Sequence, residues 1–135
     1  MKGVYDYIII GAGPAGCAAA TRADAYGLSV LVIDEQPIPG GQIYRTLERT
    51  DARRMALLGK DYQQGGSLIE AFHHSKADYL PQALGWPLTP DADVCYLCDG
   101  SAGRRAARRM LIATGAQDRP VPLPGWSLPG VMGAG

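Results

Sequence analysis

A chain of 135 residues has room for one domain with a real core, and not for two nucleotide-binding domains of ordinary size. Its 13 basic and 13 acidic residues cancel, which excludes a global field able to recruit nucleic acid or an anionic membrane. No apolar run reaches the roughly 18 residues of a membrane span, and the N-terminal run is broken by glycine too early for a signal peptide, so a cytoplasmic protein is expected.

The first element is an apolar strand over 7–10 that enters Gly11-Ala12-Gly13-Pro14-Ala15-Gly16. The spacing is that of a dinucleotide fingerprint. Gly11 makes the tight turn, Gly13 lets a pyrophosphate approach the main chain, and Gly16 lets the following helix press against the strand. Pro14 suits the first helical turn, because its φ is already helical and its missing N–H has no partner to lose there. The helix, read over 14–26, is rich in alanine and is closed by Gly27. Its N-terminus turns unpaired N–H groups and a partial positive charge toward whatever lies above the turn.

A second apolar run, 30–33, ends at Asp34-Glu35, close to the roughly 20-residue offset at which a carboxylate meets a ribose hydroxyl and repels a phosphate. Counting from the fingerprint selects Asp34, whereas counting back from the next paired glycines selects Glu35. The helix register is the stiffer ruler and favours Asp34. The loop that follows, Gln36-Pro-Ile-Pro-Gly-Gly-Gln-Ile-Tyr44-Arg45, lies on the same sheet edge as the fingerprint turn. Gly40 and Gly41 allow main chain to approach a flat ligand, Gln42 offers an amide, and Arg45 is placed to meet phosphate.

Three cysteines make no disulfide framework. Cys17 is either a thiol activated by the helix N-terminus or a small residue packed under the strand, and the packing role is preferred. Cys95 and Cys98 sit three apart on an expected strand and face opposite sides; with no second Cys/His pair, no metal site is expected. Residues 51–74 have helical character, broken at Gly65-Gly66 into two helices or one kinked pair, the second starting near Ser67. His73-His74 fit the negative end of that helix. Short strands over 77–88, 93–98 and 104–113 read as an antiparallel meander. The run Arg104, Arg105, Arg108, Arg109 is expected on a solvated edge that discourages pairing. An apolar strand, 110–113, arrives at Thr114-Gly115, and Pro120, Pro122, Pro124 and Pro129 then indicate an extended connector.

GAGPAG followed by IDEQPIPGGQIYR, and later LIATGAQDRPVPLPGW and LPGVMGAG, resembles the two-dinucleotide-domain flavoproteins of the disulfide-reductase class. Within it the pattern is most similar to the flavoprotein subunits of hydrogen cyanide synthase, opine oxidase and dye-linked proline or hydroxyproline dehydrogenases. The resemblance runs through essentially the whole chain. It implies a Rossmann-like α/β fold, with a parallel sheet, flanking helices and a three-stranded antiparallel meander layer. It also implies FAD held by Gly11, Ala12, Gly13, Pro14, Ala15, Gly16, Asp34 or Glu35, Gly41, Gln42, Thr114 and Gly115, with the adenine near Leu84-Gly85. Residues 1–118 would be the front of the FAD-binding domain, and 119–135 a connector toward a second domain binding NAD or NADP. The redox cysteine pair that disulfide reductases carry after their paired glycines is replaced here by Gln42-Ile-Tyr-Arg, so thiol–disulfide chemistry is not expected. No residue is assigned a catalytic role, because the redox chemistry would be the flavin's own. The implied activity is oxidation of an amino acid, opine or similar amine by hydride transfer to FAD, together with other subunits. The alternatives are a non-catalytic nucleotide-binding fragment, or NAD in place of FAD, since Asp34 suits either ribose.

Overall fold

The computed structural model describes residues 3–44, 60–88, 93–116, 122 and 124–131. Strand β1 (Val4–Ile10) runs into the fingerprint turn, helix α1 (Pro14–Ala25) returns along the sheet, and β2 (Val30–Ile33) lies parallel to β1 with Ile10 opposite Ile33. A single-turn helix α2 (Gly41–Tyr44) and a longer helix α3 (Lys60–His74) lead to β3 (Asp78–Leu80), parallel to β2. Strands β4 (Ala83–Leu88), β5 (Asp93–Cys98) and β6 (Ser101–Ile112) then turn back and forth, giving the sheet order β3-β2-β1-β6-β5-β4.

Two apolar layers form on opposite faces of the parallel strands. On one, Ile9, Val30 and Val32 pack with Cys17 and Ala20 of α1 and with Ile69 and Phe72 of α3. On the other, Tyr5, Ile8, Leu31 and Ile33 pack with Ala83, Val94 and Ala107 of the antiparallel strands. The Asp6 and Tyr7 N–H groups both donate to the Ser29 carbonyl, at 3.0 and 3.1 Å. Tyr5 and Ile8, three apart, reach the same face.

The expected Rossmann-like fold and its meander are present, with corrections. The stretch read as one strand over 77–88 is two: β3 joins the parallel sheet, the chain turns at Pro81-Gln82 with Gln82 at φ 53°, and β4 alone opens the meander. The last meander strand and the apolar strand before Thr114, which overlap in the sequence, form the 12-residue β6, whose first half pairs antiparallel with β5 and whose second half pairs parallel with β1. The arginine run is split: Arg104 and Arg105 pair with β5, whereas Arg108 and Arg109 lie on the half of β6 whose other side is open among the described strands. Arg104 pairs with Asp93, Arg105 lies over the Tyr96 ring at 5.6 Å, and the exposed Arg108 approaches Asp6 at 3.6 Å.

Gly65-Gly66 does not break α3. The helix runs through both glycines because tertiary packing overrides their poor propensity. His74 Nδ1 lies 2.8 Å from the Glu70 carbonyl in the last turn of α3, the end expected for a histidine. Residues 124–131 are turns where an extended connector was expected. The Leu128 N–H donates to Gly125, the Val131 N–H to Leu128, and Gly125 and Gly130 each follow a proline at positive φ, the pairing a tight turn favours. Arg45 and positions 51–59 of the expected helix lie outside the described residues.

Candidate dinucleotide-binding site

Three glycine-bearing turns meet at the C-terminal end of the parallel strands, where ligands of open α/β sheets bind. In the first, the Gly11 N–H donates to the Ile33 carbonyl at 2.8 Å, which locks the turn to the end of β2. Gly11 sits at φ 104°, and a Cβ there would run into the Ala113 carbonyl of the turn after β6. A Cβ on Gly16 would run into the Gly11 carbonyl. These two glycines are required by the protein's own packing.

Gly13 differs. Its backbone is extended, at φ −69° and ψ −178°, and a Cβ would meet nothing closer than the Gly41 Cα at 3.9 Å. Nothing inside the fold demands a glycine there; what its missing Cβ leaves is open room directly above the turn. Gly13 is also the N-cap of α1 and provides no side-chain cap, Pro14 opens the helix, and the first turn carries no acidic residue. The N-terminal N–H groups of a 12-residue helix thus face that room without a capping side chain, the electrostatic setting in which a helix holds a phosphate.

The second turn closes on the first. The Gly40 N–H donates to the Ala12 carbonyl at 2.8 Å, Gly40 and Gly41 take φ values of 118° and 60°, and a Cβ on Gly41 would stand 2.9 Å from the Gly13 Cα. Gln42 follows, exposed, in α2. The third turn, Thr114-Gly115, is exposed and is tied in when the Ala113 N–H donates to the Ile10 carbonyl at 2.8 Å. Along the meander side, Gly85 lies over the ends of β1 and β2: a Cβ there would be 3.7 Å from both Ile10 Cδ1 and Ile33 Cγ2.

Asp34 and Glu35 part company. Asp34 is 9% exposed and its main chain is pinned on both sides, its N–H donating to Leu80 and its carbonyl accepting from Ala83. Its carboxylate accepts the Ala12 N–H on Oδ2 and the Gln36 N–H on Oδ1. It therefore stitches the end of β2 to the fingerprint turn, a structural task that spacing alone did not disclose. A carboxylate has about four lone-pair sites, so two remain after these bonds, the number a ribose diol needs. Glu35 is exposed, with Oε1 accepting from the Gln36 amide at 3.3 Å.

Cys17 is fully buried and its thiol donates to the Ala12 carbonyl at 3.2 Å. Burial pushes the thiol up from 9.0 to about 11; a main-chain hydrogen bond from Gly40 offsets part of this, and the Asp34 charge adds to it. The packing role is the one realised. Because the folded pKa is raised, the stabilisation linked to this thiol is complete below about pH 9 and is lost as pH climbs toward about 11. Cys17 in the native chain is expected to resist iodoacetamide at pH 8 while Cys95 and Cys98 react faster; labelling of Cys17 at the rate of a free thiol would contradict this.

A profile of the pyridine nucleotide-disulphide oxidoreductases matches residues 5–133. The chain belongs to this family. It is 49% identical to an opine oxidase subunit of Agrobacterium tumefaciens (strain Ach5), over all of this chain and 28% of that one. It is 31% identical to the hydrogen cyanide synthase subunit HcnB of Pseudomonas aeruginosa, over 93% of this chain and 27% of the other. The fold is shared with L-proline dehydrogenase from P. horikoshii at a TM-score of 0.69 and 22% identity, covering 87% of this chain and 24% of that one. The chain thus spans about a quarter of the length of these relatives, the first two of which are named as subunits. Among the described residues no helix is long and apolar enough to cross a membrane.

Proposed function

We propose that this chain is the FAD-binding front portion of a flavoprotein oxidoreductase subunit that oxidises an amino acid, an opine or a similar amine in the cytoplasm, in company with other subunits. The observation that carries the reading is the room above Gly13, a cradle that a single Cβ would fill, backed by an uncapped helix N-terminus. The pyrophosphate lies on Gly11, Ala12, Gly13, Pro14, Ala15 and Gly16, the adenosine ribose at Asp34, and the ribityl and flavin end passes Gly41-Gln42 and Thr114-Gly115. Residues 1–118 make up this portion of the domain and 119–135 lead out of it. When bound, FAD supplies the acceptor for the hydride taken from the substrate. The chain's own residues bind and orient it: main-chain N–H groups meet the phosphates, and Asp34 fixes the ribose and, through Ala12, the turn itself. FAD is preferred over NAD because the relatives by sequence are opine oxidase and hydrogen cyanide synthase subunits, whose names match the implied chemistry.

The test separates the two acids. Asp34→Asn removes the charge and one of the two acceptors that hold the Ala12 and Gln36 N–H groups, so thermal melting is followed beside binding; losing a charge-assisted bond of this kind costs about 1.5–3 kcal/mol, and FAD affinity should fall roughly tenfold to a hundredfold. Glu35→Gln should change it little. The exposure of Glu35 supports a second reading, in which Asp34 only shapes the turn and Glu35 takes the ribose; a large loss for Glu35→Gln with none for Asp34→Asn would establish that reading instead.

A further inference from the structure

Tyr44 closes α2 and its ring rests on the backbone of α3 at Gly65. A Cβ on Gly65 would stand 2.7 Å from Tyr44 Cζ and would overlap Cδ1 and Cε1, so the ring occupies the space that the glycine leaves. The Tyr62 ring meets Tyr44 edge-on with centroids 5.8 Å apart and forms a second wall of the socket. The neighbouring Gly66 has nothing within 4 Å of its Cβ position, so the two glycines of the pair are not equivalent. From the socket a short chain of contacts leads to the cofactor turn. The Tyr44 N–H donates to the Gly40 carbonyl at 3.1 Å, the Gly40 N–H donates to the Ala12 carbonyl at 2.8 Å, and Gly41 presses on Gly13.

We infer that Tyr44 is a positioning residue: seated in the Gly65 socket of α3, it clamps the second glycine turn onto the fingerprint turn and so sets the gap through which the cofactor's phosphates reach the main chain. The inference rests on the FAD reading above. It also accounts for a glycine in the middle of a 15-residue helix, where alanine would be favoured by propensity. Gly65 is retained for the ring that lies on it, whereas Gly66 has no such tenant.

The experiment compares Gly65→Ala, Gly66→Ala, Tyr44→Ala and the double variant Tyr44→Ala/Gly65→Ala in the 135-residue chain, by FAD titration and by amide exchange at Gly40 and Tyr44 without FAD. Gly65→Ala and Tyr44→Ala are each expected to weaken FAD about five- to thirty-fold, the range that follows from losing a single packed contact. Both should speed exchange at the two amides. Gly66→Ala should leave affinity and exchange unchanged, and the double variant should be no worse than Tyr44→Ala, since an empty socket has no ring to displace. Equal effects of Gly65→Ala and Gly66→Ala, or costs that add in the double variant, would overturn the clamp. Faster exchange in Gly65→Ala with unchanged FAD affinity would leave the clamp standing and fault the cofactor reading.

Discussion

Replacing Gly13 by valine is expected to cost the chain its flavin without costing it its fold. The backbone at Gly13 lies where any residue is comfortable, and the nearest atom to an added Cβ is 3.9 Å away, so the structure itself raises no objection. The added methyl groups instead occupy the room in which a phosphate must approach the helix N-terminus. Each main-chain bond to a charged oxygen contributes about 1.5–3 kcal/mol, so displacing the phosphate from two of them lowers affinity by roughly a hundredfold or more. Alanine at the same position should give a smaller loss in the same direction. Gly11→Val and Gly16→Val behave differently, because their side chains would collide with the Ala113 and Gly11 carbonyls, and they should lower the melting temperature sharply. Flavin affinity measured beside thermal melting separates the three glycines. A Gly13→Val chain that holds flavin as well as the parent does would show that the turn is not the phosphate site.

The second large effect is on catalysis by these 135 residues alone. The half of β6 that pairs with β1 has no partner among the described strands on its other side, and its Leu111 and Ile112 are 38% and 61% exposed. Beside that edge lies a shallow apolar groove lined by Tyr7, Ile9, Ala23, Tyr26, Leu28 and Leu111. An unpaired edge next to an apolar groove favours edge-to-edge association. Affinity for a cofactor depends on a closed, water-excluding pocket, and the described residues form one wall of it. The chain by itself is therefore expected to hold FAD weakly, to lose it on gel filtration, and to show no turnover with amino-acid or opine substrates and an artificial dye acceptor. Adding the part of the Agrobacterium tumefaciens opine oxidase subunit that lies outside the match to this chain should raise flavin retention. Steady turnover by the isolated chain would contradict this, and Ile112→Lys should reduce any self-association through the edge.

The parts of this molecule that could be read from sequence are those decided locally. The strand, glycine turn, Pro14-led helix and acid-ended strand each follow from constraints within a few residues, and all of them are present in the fold. What escaped reading depends on partners distant in sequence. β3 is three residues long, too short for periodicity to register, and exists because β2 offers it an edge. Gly65-Gly66 looks like a helix break until the Tyr44 ring is known to lie on it. The arginine run reads as one solvated edge, but only Arg108 and Arg109 fall on the open half of β6, while Arg104 and Arg105 pair with β5 and meet Asp93 and Tyr96. Asp34 was singled out by its distance from the fingerprint, but no spacing rule announces that its carboxylate also holds the Ala12 N–H.

The most direct test of the central claim is a titration of the chain with FAD, FMN and ADP, followed by flavin fluorescence and by calorimetry. If the fingerprint turn and Asp34 grip the pyrophosphate and the adenosine ribose, FAD binds saturably, ADP displaces it, and FMN, which lacks the adenosine half, binds at least about tenfold more weakly, as expected for losing one charge-assisted contact. FMN binding as tightly as FAD, with ADP unable to displace either, would contradict the account.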